Sequence, residues 1–270
     1  MKPRRKPPQA SLADRHVLYQ QSVQDVETEI DFVLETWQSL RQRPATRLRE
    51  DFCGTANTSC EWVRRDRRHH AVAVDIDPGV LDWGRACNLT ALTPAQRHRI
   101  RLVRGDVRDV TTPGMDILLA MNFSYWLFME RAAMLDYFQR ARTNLVEDGI
   151  LFLDAYGGYE APKELQEERE CDGFTYIWDQ AEFNPINSQM QCYIHFEFPD
   201  GSRMERAFEY RWRLWTLPEI RELLLEAGFR NAVVYWEGTD PDSGEGDGEY
   251  APSEVGDADA GWVCYVVAEA

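Results

Sequence analysis

Leu48-Arg49-Glu50-Asp51-Phe52-Cys53-Gly54-Thr55-Ala56-Asn57 reads as a β-strand that runs into a tight turn of small residues and then opens a helix. Downstream, Ala71-Val72-Ala73-Val74-Asp75-Ile76-Asp77-Pro78 reads as an apolar strand ending in an acid. A small-residue turn lets a ligand approach the backbone and meet the N-terminus of the following helix. An acid at the tip of the next strand can accept hydrogen bonds from two ribose hydroxyls. Glu50 and Asp75 are 25 residues apart, enough for one strand–helix–strand unit. Together the two segments point to a nucleoside-containing cofactor on a parallel sheet.

The turn narrows the choice of cofactor. It is not G-x-G-x-x-G, and it lacks the Lys-Ser/Thr of a phosphate-gripping loop. Glu50 and Asp51, just before the turn, would repel a pyrophosphate, whereas an acid in that place suits a cation such as an amino acid's ammonium group. A ligand with a ribose at one end and an ammonium at the other is S-adenosylmethionine.

Glu50 to Asn57 resembles motif I of the class I S-adenosylmethionine-dependent methyltransferases, usually (E/D)-x-G-x-G-x-G. Cys53-Gly54-Thr55-Ala56 stands where many members have Cys-Gly-Thr-Gly. Gly54, the central glycine, is kept, while Phe52 replaces the first and Ala56 the third. The resemblance implies S-adenosylmethionine as cofactor and S-adenosylhomocysteine as product. It places Glu50, Phe52, Cys53, Gly54, Thr55 and Ala56 around the cofactor, with Asp75 as ribose acceptor and Ile76 beside it. Asp106, after the third strand, would accept from the adenine amino group while Val107 packs near the ring. Met121 and Asn122 match the position after the fourth strand, where the methionine part of the cofactor and the substrate's nucleophile meet. Tyr19 matches an N-terminal tyrosine that closes over the active site in the small-molecule branch. Asp77, just ahead of Pro78-Gly79, reads instead as a helix cap.

Strands and helices alternate from residue 46 to 155: strands at about 46–52, 71–76, 100–104, 115–121 and 149–155, with helices at about 56–66, 79–90 and 130–146. Such alternation predicts a parallel sheet wrapped by helices. Ser11 to Arg43 reads as one or two helices preceding the first strand. After Asp154 the pattern changes. Phe174 to Trp215 reads as three alternating strands with a hairpin turn at Pro199-Asp200-Gly201-Ser202. A helix opens at Leu217-Pro218-Glu219 and ends at Gly228, and two last strands follow at about 231–237 and 262–268, separated by an acidic, glycine-rich stretch expected to be a long mobile loop. The expected architecture is therefore α/β: a Rossmann-like, seven-stranded, mostly parallel sheet with a C-terminal antiparallel hairpin, plus a small antiparallel β insertion after strand 5. In domain terms, 1–43 is a basic tail with capping helices and 44–270 is the methyltransferase domain, interrupted by the insertion at 160–216. The insertion resembles that of the glycine and sugar N-methyltransferase branch, where it covers the substrate or builds an oligomer interface such as a homodimer.

Composition excludes several classes. The formal net charge is −16 over 270 residues, which argues against a duplex nucleic acid partner, where many phosphate contacts are wanted. No apolar run approaches the roughly 20 residues of a membrane span, and Met1 to Pro8 is not a secretory signal. Six cysteines form no C-x-x-C pair and no zinc spacing, which reads as reduced thiols in a cytoplasmic protein without a metal. Beyond Arg230 there are ten acids and no Lys or Arg, an acidic mouth suited to a cationic substrate.

Tyr193, His195 and Glu197, spaced two apart, share one strand face. That face is either solvated or a substrate wall with His195 as proton acceptor. The expected activity is methyl transfer to a small-molecule acceptor, an amine first, with Tyr19, Asn122 and His195 on the acceptor side. Two other readings stay open: an RNA or protein methyltransferase, against which the absence of N-P-P-(Y/F) after strand 4 counts, and a catalytically silent methyltransferase-fold protein, for which Phe52 and Ala56 speak.

Overall fold

The computed structural model describes residues 7–112, 114–241, 244 and 246–270. The basic residues of the Lys2–Lys6 tail and the acids Asp242 and Glu245 lie outside the described residues. Along the chain, α1 (Arg15–Ser22) and α2 (Val26–Leu40) precede β1 (Arg47–Asp51), α3 (Asn57–Arg65), β2 (His70–Asp75), α4 (Pro78–Ala86), α5 (Pro94–Arg97), β3 (Ile100–Arg104), β4 (Met115–Ala120), α6 (Arg131–Asn144) and β5 (Leu145–Gly157). Then come β6 (Leu165–Cys171), β7 (Phe174–Asn184), β8 (Gln189–Glu197), β9 (Arg203–Arg213), α7 (Leu217–Glu226), β10 (Asn231–Thr239), β11 (Gly246–Pro252) and β12 (Trp262–Glu269). They form two units, one from residues up to 25 with 162–214, the other from 26–161 with 215–270.

The larger unit holds an eight-stranded sheet in the order β11-β10-β12-β5-β4-β1-β2-β3. β3, β2, β1, β4 and β5 are mutually parallel, and β12, β10 and β11 join antiparallel, one after another. β4 and most of β5 are buried, because helices cover both faces of a parallel sheet and leave no solvated side. α2 offers Ile30, Val33 and Trp37 to this core, and α3 offers Cys60, Trp62 and Val63. α7 begins with a capping box between Thr216 and Glu219, carries Pro218 in its first turn and is followed by Gly228 at φ +99°. Both ends match the sequence expectation. The order of the strands reverses between β1 and β4, and at such a switch point the carboxyl ends of the two strands open a crevice in which open α/β sheets bind ligands.

The sheet has eight strands where seven were expected. The extra strand, β11, lies in the stretch expected to be a mobile loop. It pairs on one side only, with β10 (Trp236 opposite Ala251, Glu237 opposite Tyr250), across a bulge between Glu237 and Thr239. Its composition, Gly-Asp-Gly-Glu-Tyr-Ala-Pro, is that of a guarded edge strand. Charge and proline there block further pairing, and they also hide the strand from a search for apolar alternation.

The smaller unit is an antiparallel sheet in the order β6-β7-β8-β9. Leu18 of α1 packs with Phe174, Ile194, Phe196, Phe198 and Ala207 in its core. Here too there is one strand more than the three read from the sequence. β6 carries Gln166-Glu167-Glu168-Arg169-Glu170, exposed throughout, and is again a polar edge strand. The N-terminal segment is tied to the β8–β9 turn, with the Gln9 N–H donating to Asp200 Oδ2 at 2.9 Å and the Ala10 N–H to Ser202 Oγ at 3.0 Å. Among the described residues, no helix is long and apolar enough to cross a membrane.

Candidate active site

The turn after β1 is built on left-handed backbone. Phe52, Gly54 and Ala56 have φ of +56°, +52° and +57°. Phe52 and Ala56, standing where the motif has glycine, thus adopt the conformation that glycine takes freely, at about 1 kcal/mol or more of strain each. The turn closes through the Cys53 N–H to Val74 O (3.0 Å) and the Ala56 N–H to Cys53 O (2.7 Å). Phe52 packs its ring 5.9 Å from Phe128 and 5.7 Å from Tyr137. α4 presses on the turn from behind: a Cβ at Gly84 would stand 2.5 Å from Thr55 O, and Asn88 Nδ2 donates to the same oxygen at 3.0 Å. In front of Gly54 there is room, since a Cβ built there meets only Val80 Cγ2 at 4.0 Å.

The sequence reading has the two acids before this turn answering a ligand cation. In the structure they point to opposite faces and each has protein partners. Glu50 accepts from the Ser59 N–H at 2.9 Å and from Ser59 Oγ, and so caps the first turn of α3. Burial pushes its carboxyl up to about 7, against those hydrogen bonds. Asp51 accepts from Arg49 Nε at 2.6 Å and from the Tyr137 hydroxyl at 3.1 Å, and burial pushes it up to about 6.

Asp75 stands at the tip of β2. Its Oδ2 accepts from the Gly54 N–H at 2.8 Å and its Oδ1 from the Asp77 N–H at 2.9 Å, so one carboxylate joins the turns after β1 and β2. Each oxygen has a second lone pair. Asp77 caps α4 through the Gly79 and Val80 N–H groups, as expected. Ile76, beside Asp75, is 66% exposed, an apolar surface open to solvent. Asp106, after β3, is held by Arg108: Oδ1 accepts from its N–H and Nε, and Oδ2 from Nη2 at 2.7 Å. This fork holds the Asp106 carboxyl below its usual range, and the guanidinium lies 4.8 Å from the Phe128 ring centroid. Val107 is buried.

After β4 the backbone makes a second left-handed turn, at Asn122 (φ +58°) and Phe123 (φ +53°). A residue that the sequence reading did not single out makes it possible. Asp154, in β5, accepts from the Asn122 N–H at 2.6 Å and the Phe123 N–H at 2.8 Å, and its own carbonyl accepts from the Tyr125 hydroxyl at 2.8 Å. Burial pushes the Asp154 carboxyl up to about 7. The signal was present in the sequence, as an acid inside the apolar run Ile150-Leu151-Phe152-Leu153-Asp154-Ala155. Met121 is buried. Phe123, Trp126 and Tyr156 form an aromatic group at the exits of β4 and β5, with Trp126 stacked on Tyr156 at 4.8 Å.

Glu50, Phe52 to Ala56, Asp75, Ile76, Asp106, Val107, Met121 and Asn122 thus converge at the carboxyl ends of β1 to β4 within one unit. Tyr19 and His195 lie in the other unit. Tyr19 packs 4.8 Å from Phe208. His195 is 4% exposed at a bulge between β8 and β9; its Nε2 faces Asp179 at 3.2 Å, while its Nδ1 accepts the Arg206 N–H at 3.0 Å and lies 2.7 Å from Glu205. Both ring nitrogens are engaged inside that sheet.

No family model matches the chain, and no curated protein matches it in sequence. Solved structures match it along nearly its whole length. An S-adenosylmethionine-dependent methyltransferase from Clostridium acetobutylicum has a TM-score of 0.68 at 16% identity, covering 94% of this chain and 96% of its own. The fold is a methyltransferase fold. DesVI from Streptomyces venezuelae gives 0.67 at 15% identity over 97% and 98% of the two chains. CalS10, an amino pentose methyltransferase from Micromonospora echinaspora, gives 0.65 at 16% identity over 94% and 95%. In this methyltransferase fold the turn carrying Gly54 and the tip carrying Asp75 sit at adjacent strand ends.

The three buried acids make a prediction about pH. Glu50, Asp51 and Asp154 all have folded-state values above those of the unfolded chain, so the native state holds more protons between about pH 4 and 7. Their stabilising contribution is complete below about pH 4 and lost as pH rises through 7. Unfolding in urea is therefore expected at lower concentration at pH 8 than at pH 5.5. Glu50→Gln is expected to remove about 2 kcal/mol of that difference. A midpoint that rises over this interval, or a slope untouched by the substitution, would contradict the assignment.

Proposed function

We propose that this chain is an S-adenosylmethionine-dependent methyltransferase acting on a small-molecule acceptor, with an amine as the first acceptor class. The observation that carries the reading is Asp75: a carboxylate at the tip of β2, fixed by the Gly54 N–H and still able to accept two hydrogen bonds, beside a left-handed turn with open space in front of it. These residues fit a ribose held against a bare backbone. Ile76 supplies an apolar surface beside it, and Asp106 and Val107 form the wall for the adenine.

When bound, the sulfonium cofactor supplies an activated methyl group with a neutral leaving group. What remains for the chain is alignment of donor and acceptor away from water, worth several kcal/mol of the barrier. The Asp154-braced turn fixes Met121 and Asn122 at the exit of β4, where the methyl donor and the acceptor meet. A neutral amine needs no general base, so no proton transfer is assigned to His195. Support for an amine comes from CalS10, by name an amino pentose methyltransferase. Further support comes from the acids of the β10–β11 hairpin. β10 runs in the direction of β5, so Glu237, Asp240 and Asp247 extend from the same end of the sheet as Asp75 and raise the local concentration of a cation.

The test is transfer of tritiated methyl from S-adenosylmethionine to panels of amines, alcohols and carboxylates, with RNA and an unfolded protein beside them. Label in one or more amines is the expected result. Label confined to RNA or protein would sink the small-molecule reading, and no label anywhere would leave a methyltransferase-shaped scaffold.

A further inference from the structure

The central strand of the sheet carries a fully buried arginine. Arg49 and Asp51 lie two apart on one face of β1, both within 2% of complete burial. The Arg49 guanidinium spends its hydrogen bonds on its own strand and on the 107–112 segment that joins β3 to β4. Nε donates to Asp51 Oδ1 at 2.6 Å, Nη1 to Val110 O at 2.7 Å and Thr112 Oγ1 at 3.0 Å, and Nη2 to Val107 O at 2.6 Å. Tyr137 closes the other side of Asp51, and Asn144 Oδ1 accepts from the Thr112 N–H. Two apolar residues would fill this space at lower desolvation cost, since buried ion pairs contribute little net stability. What an apolar pair could not do is hold three residues of the irregular 107–112 segment against β1.

We propose that Arg49 is the positioning residue for the nucleoside end of the cofactor site: it pins residues 107–112 to β1 and so sets where Asp106 and Val107 stand. The proposal rests on the methyltransferase reading above. It acts through preorganisation, as outer-shell partners do in metal sites, where their loss costs about tenfold or more in affinity. Lysine cannot replace arginine here, because one ammonium cannot reach four acceptors set around a planar fork.

Arg49→Met alone would leave Asp51 buried and unpaired, so the informative variant is the double change Arg49→Met with Asp51→Leu, with Arg49→Lys as a second variant. Three quantities are measured on each: melting temperature, S-adenosylhomocysteine affinity by calorimetry, and amide hydrogen exchange of the peptide covering 106–112. The double variant is expected to melt below the parent while still unfolding cooperatively, since Val107 O, Val110 O and the Tyr137 hydroxyl lose their partners, to bind S-adenosylhomocysteine about tenfold more weakly, and to exchange faster at 106–112 but not in β5. A merely structural role would move the melting temperature and leave affinity and local exchange alone. Parent-like exchange, or faster exchange with parent-like affinity, overturns the proposal. If the parent itself binds no S-adenosylhomocysteine, the methyltransferase reading fails on its own, and the exchange measurement still decides whether Arg49 pins the segment. Should the double variant not fold, Arg49→Lys decides by the same two readouts, with a smaller loss expected.

Discussion

Asp154→Ala is expected to destabilise the chain by about 4 kcal/mol, measured as the shift of its urea unfolding curve at pH 8, where the carboxyl is ionised. The carboxylate serves two consecutive backbone N–H groups, at 2.6 and 2.8 Å. Each N–H left buried without a partner costs about 1–3 kcal/mol. Asn122 and Phe123 are also held in left-handed backbone, a conformation that persists only when its surroundings enforce it. Asp154→Asn separates the two contributions. Its amide oxygen can serve one N–H while its NH₂ group faces the other, so about 2 kcal/mol of loss is expected. A loss below about 1 kcal/mol for the alanine variant would show that the turn stands without its brace. A correct brace also has a functional consequence, because Met121 and Asn122 are delivered by this turn, and methyl transfer should fall further in Asp154→Asn than the fraction unfolded explains.

The second large effect concerns ligand binding. Asp75→Ala removes the only acceptor pair at the tip of β2 that the ribose reading uses. Two charge-assisted hydrogen bonds at about 1.5 kcal/mol each amount to about a hundredfold in affinity for S-adenosylhomocysteine. The same carboxylate also holds the Gly54 and Asp77 N–H groups, so part of the loss comes from a loosened turn. Asp77→Ala is the control. It removes the cap of α4 and is expected to cost about 1 kcal/mol of stability with little change in affinity. Equal losses in both variants would assign the effect to the helix start instead of the ribose.

The parallel part of the sheet was legible because its strands are apolar runs spaced by helical segments, and the placing of Gly54 and Asp75 at adjacent strand ends was legible because strand tips and turn residues are local features. What escaped was long-range or polar. β6 and β11 are edge strands whose charge hides their pairing. The partner of Glu50 is Ser59, nine residues away, and the partners of Arg49 other than Asp51 lie around 60 residues downstream. No periodicity connects them. Yet two acids and an arginine inside a strand of a helix-wrapped parallel sheet carry their own signal: at such a position each must find a protein partner. The acids before the turn looked like groups facing a ligand, but burial had already committed them to α3 and to Arg49. Phe52 and Ala56, which lowered the match to the motif, follow a glycine-like backbone path, so the departure costs strain and leaves the shape of the turn intact.

The strand tips around Gly54 and Asp75 are the proposed seat of an S-adenosyl cofactor. Calorimetric titration of the intact chain with S-adenosylhomocysteine tests this assignment most directly. One site per chain is expected, with a dissociation constant in the micromolar range. No heat of binding up to millimolar ligand, from a chain that unfolds cooperatively, would contradict it.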